Sequence, residues 1–223
     1  MRSFWRILFG KRPTQHPDTF ALTRSALWGS IAESIKLQQS MGKSVWLVAH
    51  FPGTYTDCQA MLESHDIDYF VETEPISESW FREHAAAADP HVRLLIADLL
   101  KPLEFEEGDT TGFQNRIALM VAERHPWGPR DERVLDFADS LPTKVEVGYF
   151  MALDDELVKR MVPPQMIELM KTMGLQEHDL ISSSMVTKRL RKLIHRLAES
   201  GDREGDEAAE SAAEWFEIRG ESS

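Results

Sequence analysis

The sequence predicts a doubly wound α/β fold: a mostly parallel sheet of about five strands with helices on both faces. Two observations carry that reading. Short apolar runs alternate with helical segments from residue 45 to residue 152, the order that builds parallel sheets. The runs are also continuous rather than alternating, as in strands buried on both faces.

Pro13 and Pro17 break the chain near its start. A helix is expected from Asp18, which can cap it, through Leu22, Ala26, Ile31 and Ile35 to a stop at Gly42. Val45–Ala49 is the first strand and Thr56–Ser64 a helix. Ile67–Val71 is the second strand, followed by a helix over Ser77–Ala88 with Ser77 as its cap. Val92–Ala97 is the third strand. An acidic loop over 101–112 leads to the fourth, Arg116–Ala122. Asp131–Ser140 is a helix and Lys144–Ala152 the fifth strand, with helices expected at 154–162, 164–173 and about 184–200. The domain is expected to span 18–198, between a basic amphipathic segment at 1–17 and an acidic, partly disordered tail at 199–223 that holds a short helix with Trp215 and Phe216.

The 223 residues carry a formal charge of −12, spread unevenly. Residues 1–50 hold seven Lys or Arg against Asp18 and Glu33, and 188–198 hold five basic residues and no acid. The body between them and the tail after them are acidic. An acidic body argues against nucleic acid as a partner. A single cysteine, Cys58, excludes an intrachain disulfide and a multi-thiolate zinc site. No apolar stretch reaches the roughly 18 residues that a membrane-spanning helix needs. The composition suits a reducing, cytoplasmic setting.

At the start, Arg2, Arg6, Lys11 and Arg12 flank Phe4, Trp5, Ile7, Leu8 and Phe9. Aromatic residues beside cations suit the interface of an anionic membrane, or a partner there; the alternative is packing on the body. The apolar run is short and broken by Arg6, unlike a signal peptide. Residues 184–197 place Val186, Leu190, Leu193, Ile194 and Leu197 in one stripe of a basic helix, which either packs on the acidic body or binds a partner.

Ligands of such sheets lie beyond the carboxyl ends of the strands. Those ends are His50 to Thr54, Glu72 to Glu74, Asp98 to Lys101, Glu123 to Pro126, and Asp154-Asp155. Gly42-Lys43-Ser44 is a turn and not a phosphate loop, because it precedes a strand and Leu37 stands where the loop's first glycine belongs. Cys58 sits in a helix as a packed thiol. The eight histidines show no metal-ligand spacing, so no metal or other cofactor is expected. Asp154-Asp155-Glu156 reads as acids opening a helix. Glu123-Arg124-His125 is the best polar cluster, open between a site and a satisfied loop.

From Glu123 onward the chain resembles the second nucleotide-binding domain of the SecA preprotein-translocase ATPases. Glu123-Arg124-His125 matches the family's E-R-H, Asp131 falls in its place, and Tyr149 to Asp155 matches the family's following strand with its L-S-L-E-D. Glu168 to Leu175 and Met185 to Lys188 are similar to later family segments, and Gly42 to Val48 and His65 to Tyr69 to its first strands. The N-terminal Ile7 to Lys11 is similar to the amphipathic SecA start. The resemblance covers about 42–196 and implies a RecA-like, helicase C-terminal-type domain, with His50, Asp98, Glu123, Arg124 and His125 as its nucleotide-binding positions. The departures are chemical. Where the family has three arginines that stabilise the transferring phosphate, this chain has Leu135, Phe137 and Ser140, which should abolish that role. Asp98 to Pro102 replaces a glycine-rich family box, and the family's first ATPase domain and zinc motif have no counterpart.

The expectation is a non-catalytic binding or scaffold module with a protein partner. The tentative docking residues are Arg2, Phe4, Trp5, Arg6, Leu8, Phe9, Lys11 and Arg12, which would place it at the inner membrane face. The alternative is a nucleotide-binding regulatory domain without hydrolysis.

Overall fold

A computed structural model describes residues 13–84, 90–105, 116–161, 179–182, 184–199 and 209–219. The expected helix at 164–173 and the basic segment at 1–12 lie outside them. The described elements are β1 (Thr14–Gln15), β2 (Thr19–Ala21), α1 (Arg24–Ser40), β3 (Lys43–Ala49), α2 (Pro52–Ser64), β4 (Tyr69–Val71), α3 (Glu78–His84), β5 (Val92–Ile96), β6 (Arg116–Val121), α4 (Gly128–Ser140), β7 (Val145–Ala152), α5 (Glu156–Lys159), β8 (Ile181–Ser182), α6 (Ser184–Glu199) and α7 (Ala212–Ile218).

The sheet runs β4-β5-β3-β6-β7-β2-β8, with β1 also paired to β7. Every pairing is parallel except the β2–β8 edge. The five expected strands are β3 to β7, so the α/β class and the mostly parallel sheet are as the sequence implies. β3 explains why: all seven of its residues are buried, as a central strand covered on both faces requires. Its side chains alternate between two cores. Val45 and Leu47 meet Leu27, Ile31 and Ile35 of α1 and Cys58 and Leu62 of α2. Trp46 and Val48 meet Phe81 of α3 and Val134 and Phe137 of α4. Helices therefore cover both faces.

The start differs from expectation. The helix begins at Arg24, not Asp18, because the Thr23 side chain accepts from the Ala26 N–H and caps it. The residues before it pair instead with β7, Thr19 opposite Phe150 and Ala21 opposite Ala152. Asp18 is thus freed from capping and fully buried. Ser77 does cap α3, accepting from the Trp80 N–H at 3.1 Å. Gly42 turns the chain into β3 with φ of +73°, a left-handed conformation that suits glycine. The next residue, Lys43, is buried against Glu146 at 2.8 Å, so the Gly-Lys-Ser tripeptide is a turn entering a strand.

A third core lies at the carboxyl edge of the sheet. Phe20, Leu22, Phe51, Met151 and Leu153 pack there against Leu157 of α5, Leu190 and Ile194 of α6, and Trp215 and Phe216 of α7. The stripe on the basic helix α6 accordingly packs on the body. The tail's helix is no marginal appendage either: Trp215 and Phe216 are each 1% exposed.

Candidate functional site at the carboxyl edge of the sheet

β3 lies between β5 and β6. The chain leaves β3 for β4 and β5 on one side and then crosses to β6 and β7 on the other. Strand order reverses at β3, and the crevice beyond the carboxyl ends of β3 and β6 is where a doubly wound sheet takes its ligand. His50 follows β3, and Glu123, Arg124 and His125 follow β6. They reach this place because the apolar runs that fill the sheet stop there.

Arg124 is at the centre. Its Nε and Nη2 donate to both carboxylate oxygens of Asp18 at 2.9 and 2.7 Å, and its Nη1 donates to Asp131 Oδ2 at 2.6 Å. The guanidinium lies over the Tyr149 ring at 3.7 Å, and the Tyr149 hydroxyl donates to the Asp131 carbonyl oxygen at 3.4 Å. Burial would lower the Arg124 pKa, but the attraction of Asp131 and Asp18 outweighs it and raises it. Burial pushes Asp131 up, and the nearby His50 ring and the charge of Arg124 pull it below its ordinary value. His50 Nε2 stands 2.9 Å from Asp131 Oδ1, and the His125 N–H donates to that oxygen at 3.0 Å.

His125 is held neutral. Its Nδ1 accepts from the Trp127 N–H at 2.9 Å, and its ring stacks on Phe51 at 4.9 Å with the edge of Trp215 at 6.0 Å. Burial pushes its pKa down to about 2, with His50 adding to the effect.

Glu123 points the other way, into a cleft of about 370 Å³. The walls include Thr54, Asp57, Met151, Asp155 and Leu157. Arg24 crosses it, donating to Asp155 Oδ1 at 2.9 Å and Thr54 Oγ1 at 2.8 Å, with Asp57 at 3.6 Å. Glu123 is 5% exposed and its Oε1 has no hydrogen-bond partner. Burial raises its pKa to about 7, against the opposing charges of Arg24 and His50. Burial also raises Asp155 against the pull of Arg24.

Of the sequence-chosen positions, His50, Arg124 and His125 meet around Asp131, and Glu123 borders them on the cleft side. Asp98 does not join them. It lies in the turn after β5 with its side chain 56% exposed, paired with Arg130 of α4. Cys58 is buried among apolar neighbours and its thiol pKa is pushed up by burial, as befits a packed thiol. Asp155 stands at the N-cap of α5 without a side-chain bond to the helix; its Oδ2 instead accepts from the Ala152 N–H at the end of β7 at 2.7 Å. Among the described residues no group of His, Cys, Asp or Glu is placed to hold a metal ion. The docking residues Arg2 to Arg12 lie outside the described residues. Sequence reasoning missed Asp18, Arg24 and Trp215 as members of the site, whereas Thr54 stood in a strand end it named. Asp131 alone carried a signal, through its place in the resemblance.

The three positions where the resembled family has arginines are structural. Phe137 is fully buried against Trp46 at 5.8 Å, Leu135 packs on the same core, and Ser140 accepts from the Leu103 N–H at 2.9 Å.

No family model matches the chain and no curated protein does. Among solved structures, the chain is similar to the C-terminal domain of a possible DNA helicase from Lactobacillus plantarum, at 13% identity and a TM-score of 0.40, over 66% of this chain and 77% of that one. It is also similar to the C-terminal part of the Fun30 ATPase domain, at 12% identity and a TM-score of 0.40, over 77% of this chain and 54% of that one.

Proposed function

We propose that the chain is a non-catalytic binding or scaffold module, a RecA-like domain related to the second nucleotide-binding domain of SecA, acting at the cytoplasmic face of a membrane. The observation that carries the reading is Arg124. A cation available to a phosphate must have a free donor edge, and this guanidinium is bonded on both edges to Asp18 and Asp131 with its face on Tyr149. Recruiting it to a ligand means breaking a buried ion triad, which costs several kcal/mol. The crevice is also covered from within the chain, by Trp215 and Phe216. The buried His125 and the uncharged Leu135, Phe137 and Ser140 at the family's arginine positions point the same way.

An assay of ATP and GTP turnover by the full chain tests the absence of catalysis. The expected rate is background, unchanged in Arg124→Met. Turnover abolished by that substitution refutes the reading. Membrane docking rests on the basic, aromatic residues 2–12. Flotation with anionic liposomes should show salt-sensitive binding that is lost when 2–12 are deleted. Binding that survives the deletion removes the N-terminus from the proposal.

A further inference from the structure

Three features set the chemistry of the cleft beside Glu123. The first is a buried acceptor without a donor: Glu123 lines the cleft and its Oε1 has no hydrogen-bond partner. An unmet buried carboxylate oxygen is costly, and a donor arriving with a ligand removes that cost. The second is the sign of the charge. Asp57, Glu123, Asp154, Asp155 and Glu156 line the cleft against Arg24, Lys159 and Arg124, and Arg124 is already neutralised by Asp18 and Asp131 behind it. Asp57 and Asp155 already share Arg24, and Glu156 reaches Arg160 at 3.6 Å, so Glu123 and Asp154 face Lys159. The third is the wall, where Met151, Leu157, Val158 and Ala212 supply apolar surface next to the carboxylates.

An anion is disfavoured here. Among the described residues Arg24 and Lys159 are the cations left at the cleft, and the Gly53 N–H at the start of α2 is already donated to the Glu210 carbonyl at 3.0 Å. The carboxylates would repel a phosphate. A metal ion lacks its ligand set among the described residues. A cation on an apolar stem fits both halves of the lining, and about 370 Å³ holds one long side chain.

We propose that this cleft binds an alkylammonium or guanidinium group, the charged head on Glu123 and the stem along Met151, Leu157 and Val158. The chemistry is that of a lysine or arginine side chain on a protein partner; a free polyamine carries the same group. The inference rests on the binding-module reading and names what the module would recognise.

The test is calorimetric titration of the full chain, at about pH 8 where Glu123 has lost its proton, with a capped Ala-Lys-Ala peptide and with spermidine, using the N-acetyl-lysine peptide as the uncharged control. At least one ammonium probe should bind, the control should not, and Glu123→Gln should weaken binding by about tenfold or more. Ala213→Phe narrows the cleft from an exposed wall position and should weaken it too, which separates loss of the site from loss of the fold. Glu83→Gln, on exposed surface, should change nothing. Tighter binding of the peptide identifies a protein side chain as the source, and tighter binding of spermidine a free polyamine. No heat from either probe up to about 10 mM, equal binding of the acetylated control, or binding indifferent to both cleft variants overturns the proposal. Nucleotide turnover would instead remove the binding-module reading while leaving the ammonium result standing.

Discussion

Arg124 and its neighbours show a polar cluster used for architecture. Removing one member of a buried ion triad leaves a charge without a partner, so Arg124→Met should destabilise the fold by about 3–5 kcal/mol. Asp18→Asn should do so by a smaller amount, because an amide still accepts one of the two bonds. Urea unfolding midpoints measure both. The two perturbed titrations next to Arg124 oppose each other. Glu123, raised to about 7, keeps its proton in the folded state where the unfolded chain has lost it, so its contribution is full below pH 4.5 and is lost as pH rises through 7. His125, lowered to about 2, stays neutral where the unfolded chain binds a proton, so its contribution is full above pH 6.5 and falls on acidification below it. Between pH 4.5 and 6.5 the two slopes counteract each other. Glu123→Gln should therefore expose a stability that rises with pH across that window by about 1 kcal/mol per unit, and His125→Gln one that falls. Unfolding free energies at pH 4.5, 5.5 and 6.5 decide it; slopes identical to the parent in both variants contradict the assignment. At this scale the sequence showed one side of each pair. Glu123-Arg124-His125 stands out as three polar residues ending an apolar run, but Asp18 lies 106 positions away, and no local pattern announces a partner so distant.

The central strands and the helices between them were legible because each is long enough to show a period or a continuous apolar run. β2 was not. Its three residues are too few for a pattern, and Asp18 just before them imitates a helix cap. Pairing with β7 outweighed that local cue, and Thr23 took the capping role. The tail misled in the opposite sense. Its composition is polar and acidic, yet α7 carries two aromatics that the edge core absorbs. Trp215→Ala should cost about 3–5 kcal/mol, as large buried aromatics do. Ending the chain at 208 should expose Phe51 and His125, and hydrogen exchange should quicken at 50–54 and 123–127 and hardly at all within β5. Uniform exchange across the sheet would mean that α7 is not a cover for this edge.

For the whole molecule, the charge of −12 proves less informative than its placement. The basic helix α6 buries its apolar stripe in the body and leaves Lys188, Arg189, Arg191, Lys192 and Arg196 exposed. The fold offers a ligand crevice at its switch point, and the chain fills part of it with its own arginine, carboxylates and tail, leaving an acidic cleft open at the same strand ends. That a crevice exists follows from the strand order, which belongs to the doubly wound class that the sequence implied. That it is filled depends on contacts among residues 18, 124, 131 and 215, which only the folded chain brings together. The most direct measurement is calorimetric titration of the full chain with ATP, ADP and GTP. An internally satisfied crevice predicts no saturable heat up to about 1 mM of any of them. Saturable binding that disappears in Arg124→Met, with the fold intact by circular dichroism, would contradict it.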